Sequence, residues 1–211
     1  WFGDLVTMKW WNGLWLNEAF ATFMATKVQD AFRRQWERWV SFGQERAAAM
    51  RTDGLASTRS VEAPVNHPAE ALGMIDVITY RKGCSVLRQL EQYIGEDTFR
   101  DGIRVYLKKH AYSNAETTDL WDAIASVTTL PVREIMTTWV FQPGYPVITV
   151  SESAISGGVT LSQAPFKYLA AAVDKSQTWL VPVLLRFKTA EGVGTKWVLL
   201  DGKEKSIYLG E

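Results

Sequence analysis

Cysteine is almost missing from this 211-residue chain. Cys84 stands alone, so no intrachain disulfide can staple the fold, and a reducing, cytoplasmic setting is the expectation. Histidine is nearly as scarce. His67, in Asn66-His67-Pro68, reads as a loop residue and His110 as the end of a helix; neither has a second His or Cys at metal-ligand spacing. Net charge is absent: 23 Lys and Arg balance 23 Asp and Glu, which excludes the basic footprint of a nucleic-acid binder. No apolar run approaches the ~20 residues of a membrane span, the longest lying near Trp179–Leu185. The start carries neither a basic n-region nor a small-residue cleavage site, so it does not read as a signal peptide. No internal repeat or low-complexity segment is visible.

What is there is apolar and aromatic. Hydrophobic residues make up 47% of the chain and charged ones 22%, enough to bury a sizeable core. Up to Gly144, apolar residues recur at three- and four-residue spacing. Leu16, Phe20, Phe23, Met24 and Val28 predict one helix; Phe32, Trp36, Trp39 and Val40 a second; Tyr80 to Ile94 a third, ended by Gly95. Phe99, Ile103, Tyr106 and Leu107 predict a fourth, and Thr118–Val127 a fifth, capped by Ser113, Asn114 or Thr118. Pro131 suits the first turn of a sixth, carrying Ile135, Met136, Trp139 and Val140. Arg51 to Ala71, with Gly54, Pro64 and Pro68, reads as a long loop.

Beyond Gly144 the pattern turns strand-like. Tyr145–Val150, Val159–Leu161, Trp179–Phe187, Lys196–Leu200 and Ser206–Leu209 are rich in β-branched and aromatic residues, with turn signals at Gly157-Gly158 and Asp201-Gly202. The expectation is an α+β, multidomain chain: a mostly helical part over residues 1–144 and a small antiparallel β-sandwich over 145–211.

Two positions invite chemistry. Glu18 shares a helix face with Ala21, Thr22 and Ala25, so its carboxylate either lies in a gap between closely approaching helices or acts as a first-turn Glu on the helix dipole, worth about 0.3–1 kcal/mol. Tyr80 shares a face with Gly83, Cys84 and Leu87; a glycine inside a helix costs about 1 kcal/mol relative to Ala, so close backbone approach is expected there. The alternative for Tyr80 is an ordinary packed tyrosine, and Cys84 reads as a small buried hydrophobe. Four of the ten tryptophans fall in Trp1–Trp15, which raises an aromatic binding surface for carbohydrate or peptide. Trp36, Trp39, Trp121 and Trp139 sit instead at helix-core spacings. On the β-part, Tyr168, Trp179, Phe187 and Trp197 are the aromatics available to such a surface.

Three stretches carry a family resemblance: WFGDLVTMKWWNGLWLNEAFATFM (Trp1–Met24), ITYRKGCSVLRQLEQYIGEDTFRDGI (Ile78–Ile103) and WVFQPGYPVITV (Trp139–Val150). With the segments between them, the chain resembles the aminopeptidase N-like zinc aminopeptidases, the gluzincin type, nearest the puromycin-sensitive and tricorn-interacting members. The resemblance implies the C-terminal, mostly helical half of a thermolysin-like catalytic domain, followed by a small β-sandwich. It implies that Glu18 matches the family's third zinc ligand and Tyr80 the tyrosine that stabilises the tetrahedral oxyanion. The activity implied is hydrolysis of N-terminal residues from peptides by zinc-activated water. Both zinc histidines, the general-base Glu between them and the strand that captures the substrate α-amine have no counterpart here. Nor has the C-terminal helical domain, and Cys84 stands where the family usually has Ala or Gly. The chain therefore reads as an enzyme fragment. Taken alone it is expected to be inactive and without tightly bound zinc. Peptides are the implied substrates, with no nucleic-acid or membrane partner, and self-association through newly uncovered apolar surface is the rival role. Substrate-binding residues cannot be named from this stretch.

Overall fold

The computed structural model describes residues 1–154, 156–169, 173–190 and 192–210. Five of the six expected helices form where the apolar spacing put them, with shifted ends; the second does not run from Phe32 to Val40, because Phe32 ends the first helix and Glu37, at φ +45°, breaks the path after Trp36. After a three-residue strand β1 (Val6–Met8) and a 3-10 turn at Trp11–Gly13 comes α1 (Leu14–Phe32). A second 3-10 turn, Arg34–Trp36, leads into α2 (Arg38–Asp53). Of the stretch read as a loop, Arg51 to Ala71, the first three residues still belong to α2; from Gly54 to His67 it is irregular, and a 3-10 segment, Pro68–Met74, follows. A π-helical turn, Ile78–Lys82, runs directly into α3 (Gly83–Ile94); α4 (Glu96–His110), strand β2 (Ser113–Ala115), α5 (Thr117–Ala125) and α6 (Val132–Val140) follow.

α1 is the hub of the helical core. Trp15, Leu16, Ala19, Phe20 and Phe23 are buried, the Phe20 ring stacks on Phe2 at 4.2 Å, and Phe99 and Tyr106 of α4, Leu87 and Leu90 of α3 and Leu120 and Ile124 of α5 close around them. The same helix departs from expectation on its other side. Met24 and Val28, read as part of the buried stripe, are exposed together with Ala21, Ala25 and Phe32. Trp36 and Val40 are exposed too, so helical spacing overstated their packing. β1 and β2 form a parallel pair (Val6 opposite Ser113) that the sequence pattern did not suggest, since three-residue strands are too short to show alternation.

Past Gly144 the strands pair as expected. β3 (Pro146–Glu152), β4 (Gly158–Pro165) and β7 (Glu204–Tyr208) make one antiparallel sheet in the order β3-β4-β7, and β5 (Val181–Thr189) pairs with β6 (Gly192–Leu200) in another. Leu161 and Ile207 from the first sheet meet Val181, Val198 and Leu200 from the second around Trp179, a core distinct from the helical one. Trp139 of α6 packs against both cores, and its Nε1 donates to the Leu180 carbonyl at 2.9 Å. Gly144, at φ +83°, makes the turn between the two parts. Its N–H donates to the Asp53 carboxylate and its carbonyl accepts from Lys82 Nζ, both at 2.8 Å.

Candidate functional site

Glu18 is the fifth residue of α1, past the turn where the helix dipole acts, and the first turn holds no acidic residue. The dipole reading therefore loses its basis. Glu18 is half-buried, and Thr22 Oγ1 donates back to its backbone carbonyl at 2.9 Å. α1 packs against the π-turn, and the Glu18 carboxylate lies close enough to the Tyr80 hydroxyl to act on its titration. The two residues singled out from the sequence, far apart along the chain, are thus neighbours in the fold.

Tyr80 sits in the middle of the π-turn. One extra residue per turn is uncommon in helices and changes the direction in which the side chains project. Burial, then the neighbouring Glu18 carboxylate, pushes the phenol above its usual range. It therefore stays protonated at neutral pH, as a group that must donate a hydrogen bond has to be.

Gly83 brings α1 and α3 together. A Cβ at that position would lie 2.7 Å from the Ala19 Cβ, with Trp15 and Val61 next at 3.7 Å. The close approach expected at Gly83 is present, against Ala19 rather than the face of Ala21 and Ala25, which stays open. Cys84 beside it is fully buried, and burial pushes its thiol up to about 12, so it packs as a hydrophobe and is not a nucleophile at neutral pH.

The histidines stand apart from this site. His67 is exposed and caps the Pro68–Met74 segment, its Nδ1 accepting from the Ala69 N–H at 3.2 Å. His110 Nε2 lies 3.9 Å from Asp119 at the end of α4. Among the described residues, no group of three or more His, Cys, Asp or Glu is placed to hold a metal ion. Glu18 offers one carboxylate, so the residues of this chain do not by themselves fit a zinc ion. The tryptophans divide: Trp15, Trp121 and Trp179 are buried, Trp11, Trp39 and Trp139 half-buried, and Trp1, Trp10, Trp36 and Trp197 exposed. On the β-part, Trp197 stands edge-on to Tyr93 of α3 at 5.5 Å, Phe187 is half-buried, and exposed Tyr168 meets Phe166 edge-on at 5.1 Å, with Phe166 stacked on Tyr145 at 5.3 Å. A groove of about 630 Å³, lined by Trp39, Phe42, Met50, Val86 and Tyr145, includes neither Glu18 nor Tyr80.

Sequence reading missed the frame around Tyr80. The Asp76 carboxylate accepts from the Ile78 and Thr79 N–H groups at 2.9 and 3.1 Å, and Arg59 donates to Asp76 and to the Thr79 hydroxyl at 2.7 and 2.8 Å. Lys82, buried, pairs with buried Asp53 at 2.7 Å. Only the lone polar residues of a loop could have hinted at this, and they carry no periodicity. No described helix is long and apolar enough to cross a membrane.

Comparison with known proteins gives a consistent picture. The Peptidase family M1 domain matches residues 1–139. The chain is 45% identical over 186 residues to tricorn protease-interacting factor F2 of Thermoplasma volcanium, covering 88% of this chain and 23% of the relative. It is 43% identical over 202 residues to the protein of that name in Thermoplasma acidophilum, covering 95% and 25%. It is 42% identical over 211 residues to aminopeptidase M1 of Arabidopsis thaliana, covering 100% and 23%. The chain thus spans about a quarter of the length of these curated relatives.

Proposed function

Since the chain belongs to peptidase family M1, we propose that it is part of a zinc aminopeptidase that removes N-terminal residues from peptides. The observation that carries this reading is the placement of Glu18 on α1 beside Tyr80 on the π-turn, within the region that matches the family. Glu18 contributes one carboxylate to a zinc centre completed by residues beyond these 211. Tyr80, held neutral, donates a hydrogen bond to the oxygen on which charge builds as the peptide carbonyl becomes tetrahedral. A cytoplasmic setting is proposed alongside it, in keeping with a single, buried, free thiol.

In the full-length protein, Tyr80→Phe should lower kcat on the order of 10²-fold while KM changes little, because the hydroxyl acts mainly in the transition state. Glu18→Gln should strip zinc from the purified protein, read by elemental analysis. An unchanged kcat in the first variant would remove Tyr80 from its role, and full zinc occupancy in the second would remove Glu18. The isolated 211-residue chain is expected to be inactive; stoichiometric zinc in it would overturn that.

A second reading is favoured by the exposed apolar stripe of α1. Ala21, Met24, Ala25, Val28 and Phe32 lie on one face of the helix, and a chain presenting them acts as a noncatalytic, self-associating interaction module.

A further inference from the structure

The π-turn that carries Tyr80 is held at both ends by one short stretch of chain. At its start, Arg59 is a hub: Nη1 donates to the Ser60 and Val61 carbonyls at 2.8 and 3.1 Å. Nη2 donates to the Met74 carbonyl at 3.2 Å, the Asp76 carboxylate at 2.7 Å and the Thr79 hydroxyl at 2.8 Å. Asp76 in turn takes the Ile78 and Thr79 N–H groups on its carboxylate, and its carbonyl takes the Tyr80 N–H at 3.2 Å. At the other end, buried Lys82 meets Asp53, whose carboxylate also accepts from Thr58 Oγ1 at 2.7 Å. Asp53, Thr58 and Arg59 therefore grip residues 79 and 82 from the same side of the sequence, with Tyr80 between the two grips.

A π-turn needs such a frame. It contains one residue more than the α-helical path, so relaxation to α-helix would rotate the residues before it against those after it by about 100°. α3 is fixed on α1 through Gly83 and Ala19, so the slack would appear at Tyr80, moving the phenol away from Glu18.

Building on the aminopeptidase reading, we infer that Arg59 and Thr79 are positioning residues for Tyr80: their hydrogen bond keeps the π-turn in register and the phenol aimed at the reacting carbonyl. Neither touches the substrate in this scheme. Their loss acts through Tyr80 alone, and a displacement of about 1 Å in such a donor is enough to slow the reaction strongly.

The test uses the full-length enzyme and a double-mutant cycle. Arg59→Gln and Thr79→Val should each lower kcat about tenfold with less than about twofold change in KM. Thr79→Ser, which keeps the acceptor, should restore the rate. In a Tyr80→Phe background the same two substitutions should cost less than about twofold, because the group that they aim is gone. Thermal unfolding of every variant accompanies the kinetics, and Thr79→Val keeps the test decisive if Arg59→Gln does not fold. Equal losses in both backgrounds, or a wild-type kcat in Thr79→Val, would overturn the positioning role and leave the aminopeptidase reading standing. An unchanged kcat in Tyr80→Phe alone would remove Tyr80 from its role, and the positioning role of Arg59 and Thr79 with it.

Discussion

Replacing Gly83 by Ala would set a methyl carbon 2.7 Å from the Ala19 Cβ, with helix backbone behind both atoms and no flexible arm to yield. Overpacking of this kind costs about 1–3 kcal/mol, against a gain of about 1 kcal/mol in helix propensity. Gly83→Ala should therefore lower the urea midpoint by a net loss of up to about 2 kcal/mol, whereas Gly43→Ala in α2, where nothing lies within 4 Å, should raise it. Equal shifts at both sites would show that α1 and α3 can part without cost. Gly83 was legible in the sequence because a glycine amid helical spacing is itself an anomaly. Arg59 was not: an arginine in a loop looks like any solvated charge, and its five acceptors come from residues 60 to 79, which no local pattern groups together. Glu18 and Tyr80 were found through long matching motifs, and their nearness in the fold could not have been read from spacing.

Elements were easier to foresee than their ends. α5 was expected to be capped by Ser113, Asn114 or Thr118; instead Asp119 reaches back, its Oδ2 accepting from the Glu116 N–H at 2.8 Å. Ser113 and Asn114 are occupied in β2, whose pairing with β1 takes precedence over their capping propensity. Asp119→Ala should cost about 1 kcal/mol, measured by chemical denaturation, and a change within about 0.3 kcal/mol would remove the cap from the account. The π-turn was invisible for a related reason. Apolar periodicity reports which face a helix buries, and one inserted residue shifts the phase without erasing the pattern. The β-strands were legible because alternation survives: Val181, Val183 and Leu185 point to the core, while Leu184 points away from it.

For the whole molecule, the balance of covered and uncovered surface matters. The stripe from Ala21 to Phe32 has the composition of a core and the exposure of a surface, which is why spacing alone assigned Met24 and Val28 to the interior. The isolated chain should self-associate with rising concentration in sedimentation velocity, and Val28→Glu with Phe32→Lys, an i,i+4 pair of opposite charge, should return it to monomer. A wild-type chain that stays monomeric throughout would exclude the interaction-module reading. The small β1–β2 pair has a consequence in time as well as in space. Met8 and Asn114 stand 106 residues apart, yet they lie side by side. During synthesis the first strand must wait, unpaired, until the ribosome has released everything between it and its partner. At about 5–20 residues per second, that is a delay of several seconds during which the aromatic opening of the chain lies open to chaperones.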